Sequence, residues 1–401
     1  MKYLVVIGGG LSDQPIAERD NQTPLQMADV PNLDRMVQSG AGGAYHPVPE
    51  SLPAGPEASF PGLLGYDPEE YPGAAGHLLA QALGVPVGEG EMPLCCDFII
   101  LQSSHNDMIL KDFTADRLSR EDSEMLIAAL QESIVSDGVR FHSGGGASNL
   151  MVMKTDPFPH RLEPPMELVG EGIRKHIPQE KAYRELVHLM NEAQIILHNH
   201  PFNRRRRSES LDPVNSVWFW GNRAGVATGA GAMKPLPAFE NQFGRTGAVI
   251  TASPLLRGLA KSAGMEVVEA VADPAVQVKA ALEALDRHDI VYVHADAGET
   301  VSLKGMIDDK IAAIEDFDEQ LVGPLLQAVE LRGNVRMLVT ENHMSSVDLM
   351  RYKKTAVPYA LYPGGGNGQH THEAFTEALV DDTKAPAASG RALIETFFNG
   401  T

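Results

Sequence analysis

The chain opens with Lys2-Tyr3-Leu4-Val5-Val6-Ile7-Gly8-Gly9-Gly10-Leu11-Ser12-Asp13, and this stretch predicts an α/β architecture. A continuous apolar, β-branched run that stops at glycines is typical of a buried central strand that leads into a loop. In α/β proteins, functional loops lie at this carboxyl end of the strands. The glycines leave room for a phosphate or metal, although a G-x-G-x-x-G fingerprint would need glycine in place of Asp13. A plain strand-to-helix turn fits the same residues.

Length and composition limit the class of protein. The 401 residues allow one large α/β domain with an insertion, or two domains. With 33 basic and 53 acidic side chains the net charge is −20, which argues against nucleic-acid or membrane partners but not against a local basic pocket. The two cysteines, Cys95 and Cys96, are adjacent and match neither a disulfide framework nor a zinc site. No apolar run approaches the roughly 18 residues of a membrane span, so we expect a cytoplasmic protein.

Hydrophobic periodicity predicts alternating strands and helices along most of the chain. Strands are predicted at 96–101, 150–153, 214–220, 247–252, 267–270, 290–294 and 336–340, and helices at 123–133, 181–197, 255–262, 275–285 and 306–328. Such alternation indicates a mostly parallel, doubly wound sheet. A strand–helix–strand pattern interrupts it, and we therefore place a small inserted α+β domain at 101–180 within a core domain formed by 1–100 and 181–401.

Polar side chains follow three of the predicted strands. They lie in Gly8–Asp13, in His294–Glu299 and in Thr340–His343. Parallel strands bring their carboxyl ends to one edge of the sheet, so these residues are candidates for a metal or active site. A single histidine at a strand end can equally be a hydrogen-bonded structural residue.

Several short motifs resemble the archaeal type of cofactor-independent phosphoglycerate mutases, which are alkaline-phosphatase-like metalloenzymes. The motifs are Thr23-Pro24-Leu25-Gln26, Pro31-Asn32-Leu33-Asp34, Leu64-Gly65-Tyr66-Asp67-Pro68, His200-Pro201-Phe202-Asn203, Ala263-Gly264-Met265-Glu266-Val267 and Ala280-Ala281-Leu282-Glu283-Ala284-Leu285. The resemblance runs from Lys2 to Phe398 and implies a three-layer α/β/α sandwich with an inserted α+β lid. The family moves a phosphoryl group between two hydroxyls of glycerate through a phosphoserine, with two divalent metals of the Mn, Mg or Zn type.

Carried over residue by residue, the family's site is largely replaced. Its first aspartate falls on Gly9, its serine on Pro56, its Asp-Glu-Ala-Gly-His loop on Glu299-Thr300-Val301-Ser302-Leu303, its Asp-His pair on Asn342-His343 and its last histidine on Tyr352. Only Glu299 and His343 retain the chemistry of metal ligands. Because proline has no side-chain nucleophile, the resemblance predicts that no catalytic residue of the phosphoserine mechanism remains and that no cofactor is needed.

Other residues could rebuild a different site. Glu57, Ser51 and Ser59 lie near Pro56, and Asp13, His46, Asp296 and Glu341 are further candidates. A metal-free enzyme with His294 or His343 as acid or base is another alternative. Each of these residues also fits a surface or capping role.

A basic segment is better preserved. His200-Pro201-Phe202-Asn203-Arg204-Arg205-Arg206-Arg207 resembles the family's substrate segment, which implies substrate contacts for His200, Asn203, Arg206 and Arg207. Guanidinium groups suit phosphate and carboxylate, although a solvated turn at a helix end fits as well. We predict a homologue that binds a small anionic metabolite or a protein partner. The alternative is a metal-dependent mutase, phosphotransferase or phosphatase with a rearranged site.

Overall fold

A computed structural model describes the chain except for residues 72–73, 106, 117, 224–234, 270–272, 363–371, 384–385 and 400–401. The chain divides into two compact units. The first combines Met1–Gly73 with Pro235–Thr401, and the second is Ala74–Lys234. Of the described helices, none has the length and apolar character to span a membrane.

Fourteen strands and fifteen α-helices form in the described residues. The strands are β1 (Lys2–Gly9), β2 (Ala41–Tyr45), β3 (Glu91–Ser104), β4 (Asp107–Asp112), β5 (Arg140–His142), β6 (Ser148–Lys154), β7 (Ser216–Trp220), β8 (Gly247–Thr251), β9 (Glu266–Glu269), β10 (Ile290–Asp296), β11 (Val335–Thr340), β12 (Met344–Ser346), β13 (Arg351–Lys353) and β14 (Val357–Tyr362). The helices are α1 (Pro24–Met27), α2 (Pro31–Ser39), α3 (Pro56–Leu63), α4 (Ala75–Leu83), α5 (Arg120–Ser133), α6 (Arg184–Asn199), α7 (Pro201–Ser208), α8 (Phe239–Phe243), α9 (Pro254–Ser262), α10 (Pro274–Arg287), α11 (Glu299–Ser302), α12 (Ile307–Asp316), α13 (Gly323–Arg332), α14 (Ala378–Asp382) and α15 (Gly390–Asn399).

The first unit is built on a seven-stranded sheet in the order β2-β14-β11-β1-β10-β8-β9. Strand β1 lies in its middle and pairs in parallel with β10 and β11, while β14 and β2 add an antiparallel edge. Residues 3–7 of β1 are buried, as a strand covered on both faces requires. The predicted mostly parallel sheet is confirmed. The end of the strand predicted at 267–270 lies outside the described residues.

Helices α2, α10 and α13 contribute to the core of this unit. Their apolar side chains, among them Met36, Leu285 and Val329, form one buried cluster with Leu4 and Val6 of β1. Removal of this much apolar surface from water is the main stabilising contribution to the unit. The packed sheet holds its carboxyl edge in a fixed position, and the candidate site lies on that edge.

The helix predicted at 306–328 is interrupted. Between α12 and α13 the segment Phe317–Val322 has π-helical hydrogen bonding. Asp318 in this segment accepts hydrogen bonds from the backbone N–H groups of Asn32 (3.0 Å) and Leu33 (2.8 Å) at the start of α2. Helix α2 has no capping side chain of its own, so Asp318 supplies its N-terminal cap from a distant part of the chain.

The second unit contains an antiparallel sheet in the order β4-β3-β6-β5, with β7 also paired to β3. The sheet extends beyond the insertion predicted at 101–180, because β3 begins at Glu91 and β7 ends at Trp220. Both tryptophans of the chain, Trp218 and Trp220, lie on β7. Trp220 donates its indole N–H to Asp97 at 2.7 Å, in the interior of the sheet.

Candidate functional site

Three strand ends meet at the carboxyl edge of the first unit's sheet. In the register of the sheet, Gly9 of β1 is opposite Asp296 of β10, and Ile7 is opposite Thr340 of β11. The loops that follow these strands therefore lie side by side, as the sequence predicts.

Gly9 leaves space for the side chain of Glu299. A Cβ atom on residue 9 would lie 2.7 Å from Glu299 Oε2, closer than van der Waals contact allows. At Gly10, where φ is +79°, a Cβ atom would collide with the backbone of Glu299. The carboxylate of Glu299 thus fills the place that a side chain at residue 9 would take.

Glu299 is held by Tyr352. The phenol O–H donates to Glu299 Oε1 at 2.7 Å. Burial, followed by the charge of Asp296, raises the pKa of Glu299 to about 7, against the opposite effect of hydrogen bonds from Tyr352 and Asn342. Burial and the neighbouring Glu299 hold the pKa of Tyr352 well above 10, so the phenol stays a neutral donor.

His343 and Asn342 lie fully buried next to this pair. Asn342 Nδ2 is 3.1 Å from His343 Nε2, and the Tyr352 ring lies 4.2 Å from the His343 ring. Burial lowers the pKa of His343 to about 3, so the imidazole is neutral at physiological pH. Asn342 Oδ1 and His343 Nδ1 lack a hydrogen-bond partner among the described residues. These two atoms are the free polar groups of the cluster.

The remaining positions of the predicted site are apolar. Pro56 is the first residue of α3 and follows Gly55, whose φ is +154°. Proline is favoured at this position because the missing N–H would have no intrahelical partner. Leu303 directly follows α11 and is buried. Neither residue offers a nucleophile or a metal ligand from its side chain.

A cavity of about 370 Å³ opens next to Pro56 and Glu299. Its polar lining comes from the ends of β8 and β10 and from the starts of three helices: Ser253, Gln277, His294, Asp296, Glu299 and Thr300. Phe60 and Pro274 contribute apolar surface. A cavity of this size suits a small molecule.

Most of the predicted substitutes have local structural partners. Asp13 forms a buried ion pair with Lys310 at 2.8 Å, and Glu341 accepts the backbone N–H of Ser12 at 3.1 Å. Ser59 donates to the carbonyl of Gly55 at 3.2 Å. Two others lie at the surface: Ser51 donates to Glu69, and His46 is exposed.

Sequence reasoning missed Lys310. Its ammonium group is fully buried and donates to the carbonyls of Ser12 (3.0 Å) and Ser345 (2.7 Å) as well as to Asp13. It connects the loop after β1 to strand β12. The sequence pattern could have indicated this burial, because Lys310 lies between Ile307 and Ile314 on the apolar face of α12, where a lysine is unusual.

The basic segment lies in the second unit, on α7. His200 Nδ1 accepts the N–H of Phe202 at 3.2 Å. Asn203 is buried and donates to the carbonyls of Leu197 and Val214 at 2.9 and 2.7 Å. Arg206 bonds the carbonyl of Asp212 and the carboxylate of Asp116, and Arg207 bonds the carbonyl of His198. These contacts fix α7 to neighbouring parts of the second unit, and a substrate role for the four residues stays a prediction.

The donor set at the sheet edge does not fit two divalent ions. Within the described part of the chain, no group of three or more His, Cys, Asp or Glu side chains is placed to hold a metal. Glu299 and His343 are present, but Tyr352 donates a hydrogen bond to the Glu299 carboxylate. Residues 9, 56 and 303 provide no ligand.

Known proteins match the chain over nearly its whole length. The family model described as 2,3-bisphosphoglycerate-independent phosphoglycerate mutase matches residues 38–203. A probable mutase of this kind from Geobacter sulfurreducens is 34% identical over 371 residues, 91% of each chain. The mutase from Methanothrix thermoacetophila is 32% identical over 410 residues and covers 100% of each chain.

Solved structures show the same fold. The PH0037 protein from Pyrococcus horikoshii has a TM-score of 0.73 at 22% identity, over 99% of this chain and 96% of that one. The cofactor-independent phosphoglycerate mutase from Thermoplasma acidophilum has a TM-score of 0.56 at 21% identity, over 100% and 99%. The predicted alkaline-phosphatase-like α/β fold is confirmed.

The prediction that no cofactor is needed is wrong. The matching relatives are 2,3-bisphosphoglycerate-independent mutases and belong by descent to a metal-dependent family. The prediction relied on ligand positions alone and gave too little weight to this descent. The mismatch between those positions and a two-metal site remains a feature of the chain.

The predicted resemblance is confirmed at the level of the family. With these two mutases, identity above 30% extends over more than nine-tenths of both chains, too far for a shared local motif to explain. The chain belongs to the 2,3-bisphosphoglycerate-independent phosphoglycerate mutase family.

Proposed function

We propose that this protein binds a small anionic metabolite and does not transfer a phosphoryl group through a phosphoserine. The observation that carries the proposal is Pro56 at the start of α3, where the family resemblance puts the nucleophilic serine. A pyrrolidine ring has no hydroxyl group to attack phosphorus, and no change of pKa can supply one.

Neighbouring serines do not replace the nucleophile. Ser59 is fully buried one turn further along α3, and its hydroxyl donates to the carbonyl of Gly55. One turn moves the oxygen by roughly 5 Å, too far for in-line attack from the family's position. The hydroxyl of Ser51 donates to Glu69 at the surface. The loss of phosphoserine chemistry therefore extends to the whole loop.

The arginines of α7 support anion binding. A guanidinium group has five N–H donors, and the hydrogen bonds that Arg206 and Arg207 form with Asp212, Asp116 and His198 occupy only some of them. The intramolecular bonds also hold both guanidinium groups in fixed orientations, which lowers the entropy lost on binding. In a chain of net charge −20, this helix is a local cationic exception.

The test combines binding and chemistry in one preparation. We expect 3-phosphoglycerate to bind in calorimetry with Mn²⁺ or Mg²⁺ present, and Arg207→Ala to weaken binding by roughly tenfold. Arg184→Ala is the matched control, because Arg184 is exposed in the same unit. Intact-mass measurement should show no phosphorylated protein. Mutase turnover or a phosphoenzyme would refute the proposal. Binding of a protein, with no binding of the metabolite, would show that the partner is a protein.

A second candidate is a metal-dependent phosphotransferase or phosphatase with rearranged ligands. It is favoured by the free atoms Asn342 Oδ1 and His343 Nδ1 beside the carboxylate of Glu299. A crystal soaked in Mn²⁺ should then show an ion within about 2.0–2.2 Å of Glu299 and His343. Metal-dependent turnover that is lost in Glu299→Ala would establish this candidate.

We also propose that the protein resides in the cytoplasm and has no nucleic-acid or membrane partner. Two buried cysteines, neither of them in a disulfide, and the acidic net charge support this. Cell fractionation would test the location, and a membrane-bound pool would contradict it.

A further inference from the structure

We propose that Asp116 is an autoinhibitory residue of the second unit: its carboxylate occupies Arg206 in place of an anionic ligand and must leave before such a ligand binds there. The inference rests on the proposed function, because it concerns the regulation of anion binding by α7. Three observations carry it: the hydrogen bonds of Arg206, the contacts that hold Arg206 without Asp116, and the backbone conformation of the loop 113–116 after β4.

One edge of the Arg206 guanidinium is occupied within the protein. Its Nε donates to the carbonyl of Asp212 at 2.7 Å, and its Nη2 donates to the carboxylate of Asp116 at 2.7 Å. Nε and Nη2 form the edge with which an arginine can bind a phosphate or carboxylate through two parallel hydrogen bonds. An incoming anion can therefore use this edge only after one of the two acceptors has moved away.

The carboxylate of Asp116 is the acceptor that can leave. The side chain of Asp116 is 58% exposed, whereas that of Arg206 is 12% exposed. An ion pair with an exposed partner is weak, because water and salt ions compete for the contact. The carbonyl of Asp212 belongs instead to the backbone directly after α7, where the N–H of Leu211 donates to the carbonyl of Arg206 at 2.8 Å. That backbone is fixed to the helix itself.

Arg206 keeps its position when Asp116 moves. Its guanidinium carbon lies 5.6 Å from the centre of the Phe202 ring, and Phe202 is buried. This cation–π contact and the hydrogen bond to Asp212 hold the guanidinium without any contribution from Asp116. Release of Asp116 thus exposes a cationic group that is already oriented, which lowers the entropy lost when a ligand binds.

The loop that carries Asp116 is strained. Ala115 and Asp116 have φ angles of +51° and +59°, in the left-handed region that alanine in particular seldom adopts. The carboxylate of Asp112 holds this conformation, because it accepts the N–H groups of Thr114 and Asp116, each at 2.8 Å. Backbone strain persists only where surrounding contacts maintain it. A loop that loses its bond to Arg206 can relax, and this favours displacement of the carboxylate.

Asp116 and an anionic ligand exclude each other on Arg206. Both carry negative charge, and two like charges on one guanidinium edge would repel. The apparent affinity for the ligand is therefore reduced by the fraction of molecules in which Asp116 occupies Arg206. Arg207 is not covered in this way, since its hydrogen bond goes to the carbonyl of His198 and not to a carboxylate. The two arginines thus differ in their availability to a ligand.

Calorimetric titration of the full-length protein with 3-phosphoglycerate, with Mg²⁺ held constant, tests the inference. Asp116→Asn and Asp116→Gly remove the charge, and both new residues suit a left-handed backbone, so the variants should fold. We expect each to bind roughly two- to fivefold more tightly than wild type, because no exposed ion pair has to be displaced. Glu209→Gln is the matched control, since it removes the same charge at an exposed position directly after α7. Unchanged affinity in both Asp116 variants, or an equal gain in Glu209→Gln, would overturn the inference.

A double variant links the effect to Arg206. In an Arg206→Gln background, Asp116→Asn should no longer change the affinity, because the two residues act through one contact. A gain of the same size in that background would mean that Asp116 acts through the general charge of the surface, and would also overturn the inference. Binding that does not depend on Asp116 would leave anion binding by α7 intact. Absence of binding in wild type and in every variant would refute the proposed function, and the inference with it.

Discussion

Gly9 and Glu299 act as a pair at the scale of single residues. The carboxylate takes the space that the missing side chain leaves, and Tyr352 holds it there. Both Gly9 and Tyr352 stand where the family resemblance puts metal ligands. Sequence comparison shows these two replacements separately, whereas the structure shows that Glu299 fills the space at residue 9 and is held there by Tyr352.

The first prediction concerns this pair. Gly9→Ala should lower the free energy of unfolding by about 1–3 kcal/mol, because the new Cβ atom would lie 2.7 Å from Glu299 Oε2. Adding Glu299→Ala should recover part of the loss, since the contact is then removed. Urea unfolding of the single and double variants measures this coupling.

The control is Gly62→Ala in α3, where a Cβ atom would meet its nearest neighbour at an ordinary 3.5 Å. We expect this change to be neutral or slightly stabilising. Additive effects of Gly9→Ala and Glu299→Ala would show that the two residues do not share the space.

The second prediction concerns Lys310. Lys310→Met should destabilise the protein by about 3–5 kcal/mol, because it leaves Asp13 buried without its partner. Asp13→Asn combined with Lys310→Met should cost less than the sum of the single changes. Lys279→Met on α10, where the side chain is 78% exposed, should change stability by less than about 0.5 kcal/mol in the same denaturation experiment. A small effect of Lys310→Met would mean that the ion pair contributes little.

At the scale of elements, Asp97 on β3 makes the stability of the folded protein depend on pH. Burial raises the pKa of Asp97 to about 7, against the opposing hydrogen bonds from Trp220 and Ser148. The folded protein therefore holds a proton that the unfolded chain releases near pH 4. The protonated carboxyl group of Asp97 therefore stabilises the folded protein fully below about pH 4. This contribution to the free energy of unfolding is lost as the pH rises through about 7.

The third prediction follows from this sign. Between about pH 4 and 7 the wild type should lose on the order of 1–3 kcal/mol of stability that Asp97→Asn does not lose. Thermal unfolding across that pH range measures the difference. Asp137→Asn, at an exposed position in the same unit, should follow the wild type. Parallel pH curves for wild type and Asp97→Asn would contradict the prediction.

Most elements could be predicted from periodicity, because apolar runs and amphipathic stripes are local properties of the sequence. The interruption at Phe317–Val322 could not, since its role is to bring Asp318 to the start of α2, almost 300 positions earlier in the chain. Likewise, the buried ion pair of Asp13 and Lys310 and the hydrogen bond of Tyr352 to Glu299 join parts of the chain that are distant in sequence. The strand-end loops of the site were predictable, but their internal contacts were not.

At the scale of the whole molecule, the chain consists of two compact units, and the second is one continuous segment. Its sheet pairs β3 with β4, β6 and β7, so its backbone hydrogen bonds close within the segment. We predict that residues 74–234, expressed alone, fold cooperatively. Circular dichroism and thermal unfolding test this, with 101–180 as the control fragment, which lacks most of β3 and all of β7. A fragment 74–234 without a cooperative transition would contradict the prediction.

The position of both tryptophans on β7 has a spectroscopic consequence. Indole emission excited at long wavelength reports only on the second unit, while the first unit is silent at that wavelength. Comparison of fluorescence with far-ultraviolet dichroism during one melt would thus separate the two units without any added label. Because Asp97 lies 2.7 Å from the indole nitrogen of Trp220, the same emission provides an internal indicator of that carboxyl group's charge.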